Sequence, residues 1–231
     1  MTRPPEMTRS QPPRSTSAAR ATPLAALAAA ATLALVLTGC ASPQSTFYTL
    51  TDATGTTGAA NAGATTGAIA PAAPYAVEVS PVAVPEQVDR PQIVVTRGGG
   101  RVDILEESRW SAPLKTELTS TISRDLTQRL GAMDVYGLPR ADGLTVYRVS
   151  TSVQRFESVP GEQAALTAVW SVRKVPGDMV LTCRFAGTEP ASDGIAGVVT
   201  AQRKLVDRLA DGIGNAIASS AQGTAAPRCP N

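Results

Sequence analysis

Residues 144–189 read LTVYRVSTSVQRFESVPGEQAALTAVWSVRKVPGDMVLTCRFAGTE, and the way these residues pair decides the fold. In 144–158, Tyr147, Val149, Thr151 and Val153 alternate with Val146, Arg148, Ser150 and Ser152, a period of two that sends successive side chains to opposite faces of a strand. Gln163–Val175 and Met179–Glu189 are two further strand-like runs, joined by the turn signal Pro176-Gly177-Asp178. Three long strands in succession predict an antiparallel meander.

The flanking segments supply helices. Leu114, Leu118, Ile122, Leu126 and Leu130 fall four apart, while Lys115, Glu117, Arg124, Asp125 and Arg129 lie off that row. The spacing predicts an amphipathic helix with Ser111 capping its start, Pro113 in its first turn and Gly131 at its end. Ile195, Val198, Val199, Leu205, Val206, Leu209, Ile213 and Ile217 keep helical spacing over 195–220 and predict a second long helix. Upstream, Tyr75, Val77 and Val79 alternate until Pro81 and Pro85 interrupt the strand. Residues 91–97, PQIVVTR, end at Gly98-Gly99-Gly100, and 101–107, RVDILEE, return as a hairpin partner. The short run 133–138, MDVYGL, reads as one more strand. The expected class is α/β: a mixed or antiparallel sheet covered by two long amphipathic helices.

Composition sets the limits of the domain. Of 231 residues, 43% are hydrophobic and 17% charged, enough for one core if the ends lie outside it. Residues 51–74, TDATGTTGAANAGATTGAIAPAAP, cannot build a core. The expected organisation is therefore a leader over 1–39, a flexible tether over 40–74, a folded domain over 75–222 and a tail over 223–231. A formal charge of +2 and 4% aromatic residues, with no basic run in the folded part, argue against a nucleic-acid partner.

Catalytic chemistry has little to work with. The chain has no histidine, which removes Ser-His-Asp triads, Cys-His pairs and histidine-ligated metal sites. Gly98–Gly100 lacks a following Lys-Ser and reads as a hairpin turn, not a phosphate loop. Glu106 and Glu107 are adjacent in a strand and face opposite ways, which does not suit paired acid/base work. No catalytic residue, metal site or cofactor is expected, and the chain is read as a non-enzyme.

The N-terminus points to a compartment. Arg3, Arg9, Arg14 and Arg20 precede an apolar stretch, 21–37, that ends in Leu37-Thr38-Gly39-Cys40. The order of basic, apolar and small-residue regions is that of a secretory signal peptide; a short transmembrane anchor is the alternative. Leu37, Thr38, Gly39 and Cys40 resemble the lipobox of bacterial lipoproteins. There a peptidase cuts before the cysteine once its thiol carries a diacylglyceryl thioether, and the new N-terminus is then acylated. The resemblance implies a covalent lipid on Cys40, anchorage by several acyl chains at roughly 0.8 kcal/mol per buried methylene, and a domain facing the periplasm. With Ala41 and Ser42 after the cysteine, and no Asp at the second position, the sorting rule of enteric bacteria implies the outer membrane. The tether over 40–74 would reach roughly 25 Å as a random coil. In an oxidising periplasm Cys183 and Cys229 become a disulfide candidate, closing a loop of about 45 residues worth about 4 kcal/mol in the chain-entropy model; a buried Cys183 and an idle Cys229 are the alternative.

Three segments carry a family resemblance: Phe47-Tyr48-Thr49-Leu50; Pro81–Arg97, PVAVPEQVDRPQIVVTR; and Ser108–Leu114, SRWSAPL. In this order after a lipobox they resemble the ABC-type transport auxiliary lipoproteins, the PqiC-like family. Val88 departs from the usual Leu, Ser111-Ala112 replace Ala-Glu, and the insert after Leu50 is longer. The resemblance implies a Rossmann-like α/β fold. It also implies a role beside an ABC permease and ATPase and a mammalian-cell-entry (MCE) domain protein in moving lipid between the two membranes and supporting envelope integrity. The lipoprotein would be an outer-membrane dock, and a homo-oligomeric ring would match a ring-shaped partner. Asp89, Arg90, Pro91 and Gln92 with Arg109 and Trp110 are the candidate contact surface, with Trp110 as anchor and Arg90 or Arg109 as forked donors. The internal alternative pairs Asp89 with Arg90 or Arg109 and lays Trp110 over the first helical turn. Rival roles are support of a secretin or cell-wall synthase, and a carrier that itself holds lipid.

Overall fold

The computed structural model describes residues 43–51, 73–223 and 228–229. The expected meander is present. Strands β5 (Thr145–Val159), β6 (Gln163–Val175) and β7 (Val180–Pro190) pair antiparallel in sequence order. On the far side of β5 lies β2 (Tyr75–Val79), which runs parallel to it with Val77 beside Tyr147. These four strands form one sheet in the order β2-β5-β6-β7.

The remaining strands form a separate sheet, not an extension of the first as expected. Strands β3 (Gln92–Thr96) and β4 (Val102–Trp110) make the predicted hairpin through Gly98–Gly100, all three at positive φ. Strand β1 (Thr46–Tyr48) adds to the outer edge of β4 in parallel, giving the order β1-β4-β3. The chain pairs with β5 once more at Ala83, beside Ser152, before it joins the other sheet at Gln92; Pro81, Pro85 and Pro91 have no N–H to donate to a continuous ladder. The class is mixed α/β, with one parallel pair in each sheet and antiparallel pairing elsewhere. A doubly wound Rossmann sheet is mostly parallel.

Helix α1 (Leu114–Leu130) ends at Gly131, whose φ of 61° is the left-handed conformation that glycine adopts without strain. Its start differs from expectation: Pro113, not Ser111, holds the N-cap position and no side chain caps it. Ser111 instead donates its hydroxyl to Glu117. Helix α2 (Gly194–Ala221) lies against β5, β6, β7 and α1, and α1 lies against α2 and β2. Val198, Leu205, Leu209, Ile213 and Ile217 of α2 meet Leu166, Trp170 and Val172 of β6 in one buried cluster that includes Leu114, Leu118, Ile122 and Leu126 of α1. Each such side chain contributes about 1.5–3 kcal/mol by leaving water. The helices come close at Gly214, where a Cβ would stand 2.5 Å from Arg129 Cδ. The seam is closed by ion pairs, Arg129 with Asp211 and Arg203 with Asp125, the latter through two bonds of 2.7 and 3.0 Å.

Residues 133–138 are not a strand. Only Asp134 bridges to Val77, and its carboxylate takes backbone donors that a ladder would need: Val79 N at 3.2 Å and Tyr136 N at 3.0 Å.

The boundary of the domain also moves. Thr46–Tyr48 and the fully buried Leu50 belong to the fold although they fall inside the expected tether. A strand of three residues is too short to show a period. Residues 52–72 therefore connect β1 to β2 and do not join the lipobox to the domain. The lipobox residues Leu37, Thr38, Gly39 and Cys40, and the leader before them, lie outside the described residues.

Candidate functional site

The two segments singled out in the sequence come together. Gln92 opens β3 opposite Arg109 near the end of β4, and Trp110 N donates to Pro91 O at 2.8 Å. Glu106 links the pair: its carboxylate accepts from Gln92 Nε2 at 3.0 Å and its backbone carbonyl from Arg109 Nε at 2.8 Å. Asp89 sits on the turn before β3 and pairs at 3.8 Å with Lys115, not with Arg90 or Arg109. Arg90 is half-buried, and its Nε–H has no acceptor among the described residues.

Trp110 is not available to a partner. It is 4% exposed and its ring meets Phe156 edge-on with centroids 6.2 Å apart. It belongs to the core, which removes the proposed aromatic anchor and leaves Asp89, Arg90, Gln92 and Arg109 as a polar surface. Cys183 and Cys229 are joined as a disulfide that spans 46 positions of sequence, with Cys183 buried in β7.

The strongest polar feature was not foreseen. Glu117, in the first turn of α1, is 4% exposed, and its carboxylate accepts from Thr49 Oγ1 at 2.7 Å, Leu50 N at 2.9 Å and Ser111 Oγ at 2.6 Å. A buried carboxylate is tolerable when its lone pairs are filled by donors and it sits at the positive end of a helix. The sequence did hold a signal: 117 is three positions after Leu114 and adjoins the leucine row, so an acid there stands where an apolar residue would pack. The knot ties the segment after β1 to the helix. Glu117→Ala leaves a backbone N–H and two hydroxyls without acceptors and is expected to cost about 2–3 kcal/mol. Urea unfolding of the full chain measures this loss, and faster proteolytic cleavage within 46–51 would show that the knot secures that segment.

The groove between the helices, about 500 Å³, is lined by Asp125, Gln128, Arg129, Asp207 and Asp211. Its charges are already used in the seam's ion pairs. A different surface stands out at the loop after α1, where Met133, Tyr136 and Leu138 are 69, 49 and 59% exposed on a segment pinned to β2 by Asp134. Three large apolar side chains held in water within six residues are uncommon for a surface with no partner.

Residues 48–214 match the family of the ABC-type transport auxiliary lipoprotein component. The chain belongs to this family. Two solved structures share the fold of this auxiliary lipoprotein. One, an uncharacterized protein, is 16% identical, with a TM-score of 0.57 over 76% of this chain and 99% of its own. The other, from Xanthomonas campestris and assigned to DUF330, is 19% identical, with a TM-score of 0.51 over 64% of this chain and 87% of its own. No curated protein matches the chain. Family membership makes the protein a lipoprotein accessory to an ABC-type transport system in the bacterial envelope. It also makes the role auxiliary to transport.

Proposed function

We propose that this auxiliary lipoprotein is an outer-membrane dock for the periplasmic end of an MCE-domain conduit served by an ABC permease and ATPase. The lipid on Cys40 would hold the domain on the membrane, facing the periplasm, and lipid would pass through the partner and not through this domain. The observation that carries the reading is the exposed Met133–Tyr136–Leu138 loop on a lipobox-bearing chain of a transport auxiliary family. Apolar and aromatic side chains held rigidly at the surface suit the centre of a protein interface.

The test is affinity purification of the full-length lipidated protein from detergent-solubilised envelopes, with co-purifying proteins identified by mass spectrometry. An MCE-domain protein should be recovered, and the double variant Met133→Asp, Leu138→Asp should lose most of it while keeping its melting temperature. Recovery of a secretin or cell-wall synthase in its place overturns the transport role. Lipid extracted stoichiometrically from the domain, with no protein partner, would make it a carrier.

A further inference from the structure

The fold begins close to Cys40. Thr46 opens β1, six residues after that cysteine, and six residues span at most about 20–22 Å in any conformation. Strand β1 runs parallel to β4 with Thr46 beside Ser108, whereas β4 starts at Val102. The β3–β4 hairpin thus extends six residues beyond the start of β1, about 20 Å at the rise of a strand. The course of the incoming chain is set before β1: Ser45 Oγ donates to Glu107 Oε2 at 2.8 Å, so Ser45 already lies alongside β4. The six residues from Cys40 to Thr46 can reach no farther than the hairpin extends beyond the start of β1. A lipid on Cys40 would therefore hold the start of β1 within about 22 Å of a bilayer, a distance the hairpin can span.

The side chains there fit such a surface. Val102 and Ile104 are 56 and 43% exposed and share a face with Thr96 and Val94 by register. Arg97 and Arg101 flank the glycine tip, and both pair with Asp103, at 2.9 and 3.6 Å, which leaves the tip one positive charge in excess. Apolar side chains beside arginines with long stems are suited to the boundary between headgroups and acyl chains. The hairpin tip adjoins Val159 and Pro160 at the end of β5, while the Met133–Leu138 loop adjoins Val77, which pairs with Tyr147 at the start of β5. Twelve residues of strand separate the two, about 40 Å.

We propose that the β3–β4 hairpin is a membrane-contacting element, with Val102 and Ile104 resting at the headgroup boundary and the Met133–Leu138 loop held at the far end of the domain. The proposal rests on the lipid reading of Cys40. The full-length lipidated chain carrying Val102→Trp, or Ile104→Trp should the first fold poorly, is reconstituted into phosphatidylethanolamine–phosphatidylglycerol vesicles with and without lipid brominated on its acyl chains. The parent's own Trp110 and Trp170 are buried and give the baseline. The emission added by Val102→Trp should be mostly lost to bromine, and that added by Leu138→Trp should be kept. A chain that floats with the vesicles while its hairpin tryptophan stays unquenched overturns the hairpin contact alone. A blue shift without quenching does the same and assigns the hairpin to a second copy or another protein. A chain that does not float overturns the lipid reading of Cys40, and the proposal with it.

Discussion

Trp110→Ala should destabilise the domain by about 4 kcal/mol, within the range of about 3–5 measured for deletion of large aromatic side chains from cores. For a chain of this size that is a fall of roughly 8–16 °C in melting temperature. The indole is 4% exposed, lies at the end of β4 between the two sheets' shared cluster and the start of α1, and stacks edge-on against Phe156 of β5. Truncation removes the packing of a whole ring system at a point where β1, β4 and β5 meet, and the surrounding backbone is held by ladders that cannot collapse into the void. Trp110→Phe keeps an aromatic ring against Phe156 and should lose much less. The pair of variants separates packing from recognition. Partner binding lost with Trp110→Ala and retained with Trp110→Phe reflects unfolding, whereas equal loss in both, without a change in melting temperature, would contradict the buried position.

Loss of the Cys183–Cys229 bond should cost about the same, about 4 kcal/mol for a closed loop of this length in the chain-entropy model. The loop takes in most of β7 and all of α2, the helix that supplies much of the core. Cys229→Ser is the cleaner variant, because the remaining Cys183 thiol stays buried in β7 and behaves as a small hydrophobe. The drop should be reproduced in the parent by dithiothreitol and reversed on reoxidation, with urea unfolding as the measure. A stability that does not change on reduction would show that the bond constrains nothing. Protein folded in a reducing cytosol should begin at the lower value and gain stability on oxidation, in keeping with a domain that works in the envelope.

The meander and both helices were legible because each is long enough to repeat its period several times, and the β3–β4 hairpin because three glycines mark its turn. Leu114–Leu130 repeats a four-residue row and Tyr147–Val153 repeats a two-residue one. The short elements were not. Strand β1 is three residues with no period to read, and its partner β4 lies some 60 positions away, so only tertiary pairing reveals it. The division into two sheets likewise depends on which strands meet, which local spacing does not encode. At the candidate surface, the sequence brought the right segments forward, and Gln92 and Arg109 do sit side by side. It could not tell that Trp110 faces inward, since a bulge between Gln92 and Ile93 shifts the register and reverses which face of β4 is buried. Glu117 was passed over because a charged residue beside an apolar row is usually solvated.

The attachment of β1 has a mechanical side. A pull on the chain before Thr46 directed along β1 would load its pairings with Ser108, Arg109 and Trp110 together in shear, not open them one at a time like a zipper. Behind them, the buried Leu50 and the bond from its N–H to Glu117 are a second hold on the same segment. If a lipid holds the chain at Cys40 and a partner pulls at the Met133–Leu138 loop, as proposed, the same tension passes in series through the four-stranded sheet and the β1–β4 pairings, and the three-residue strand, as the shortest ladder on that path, is where the fold would yield first.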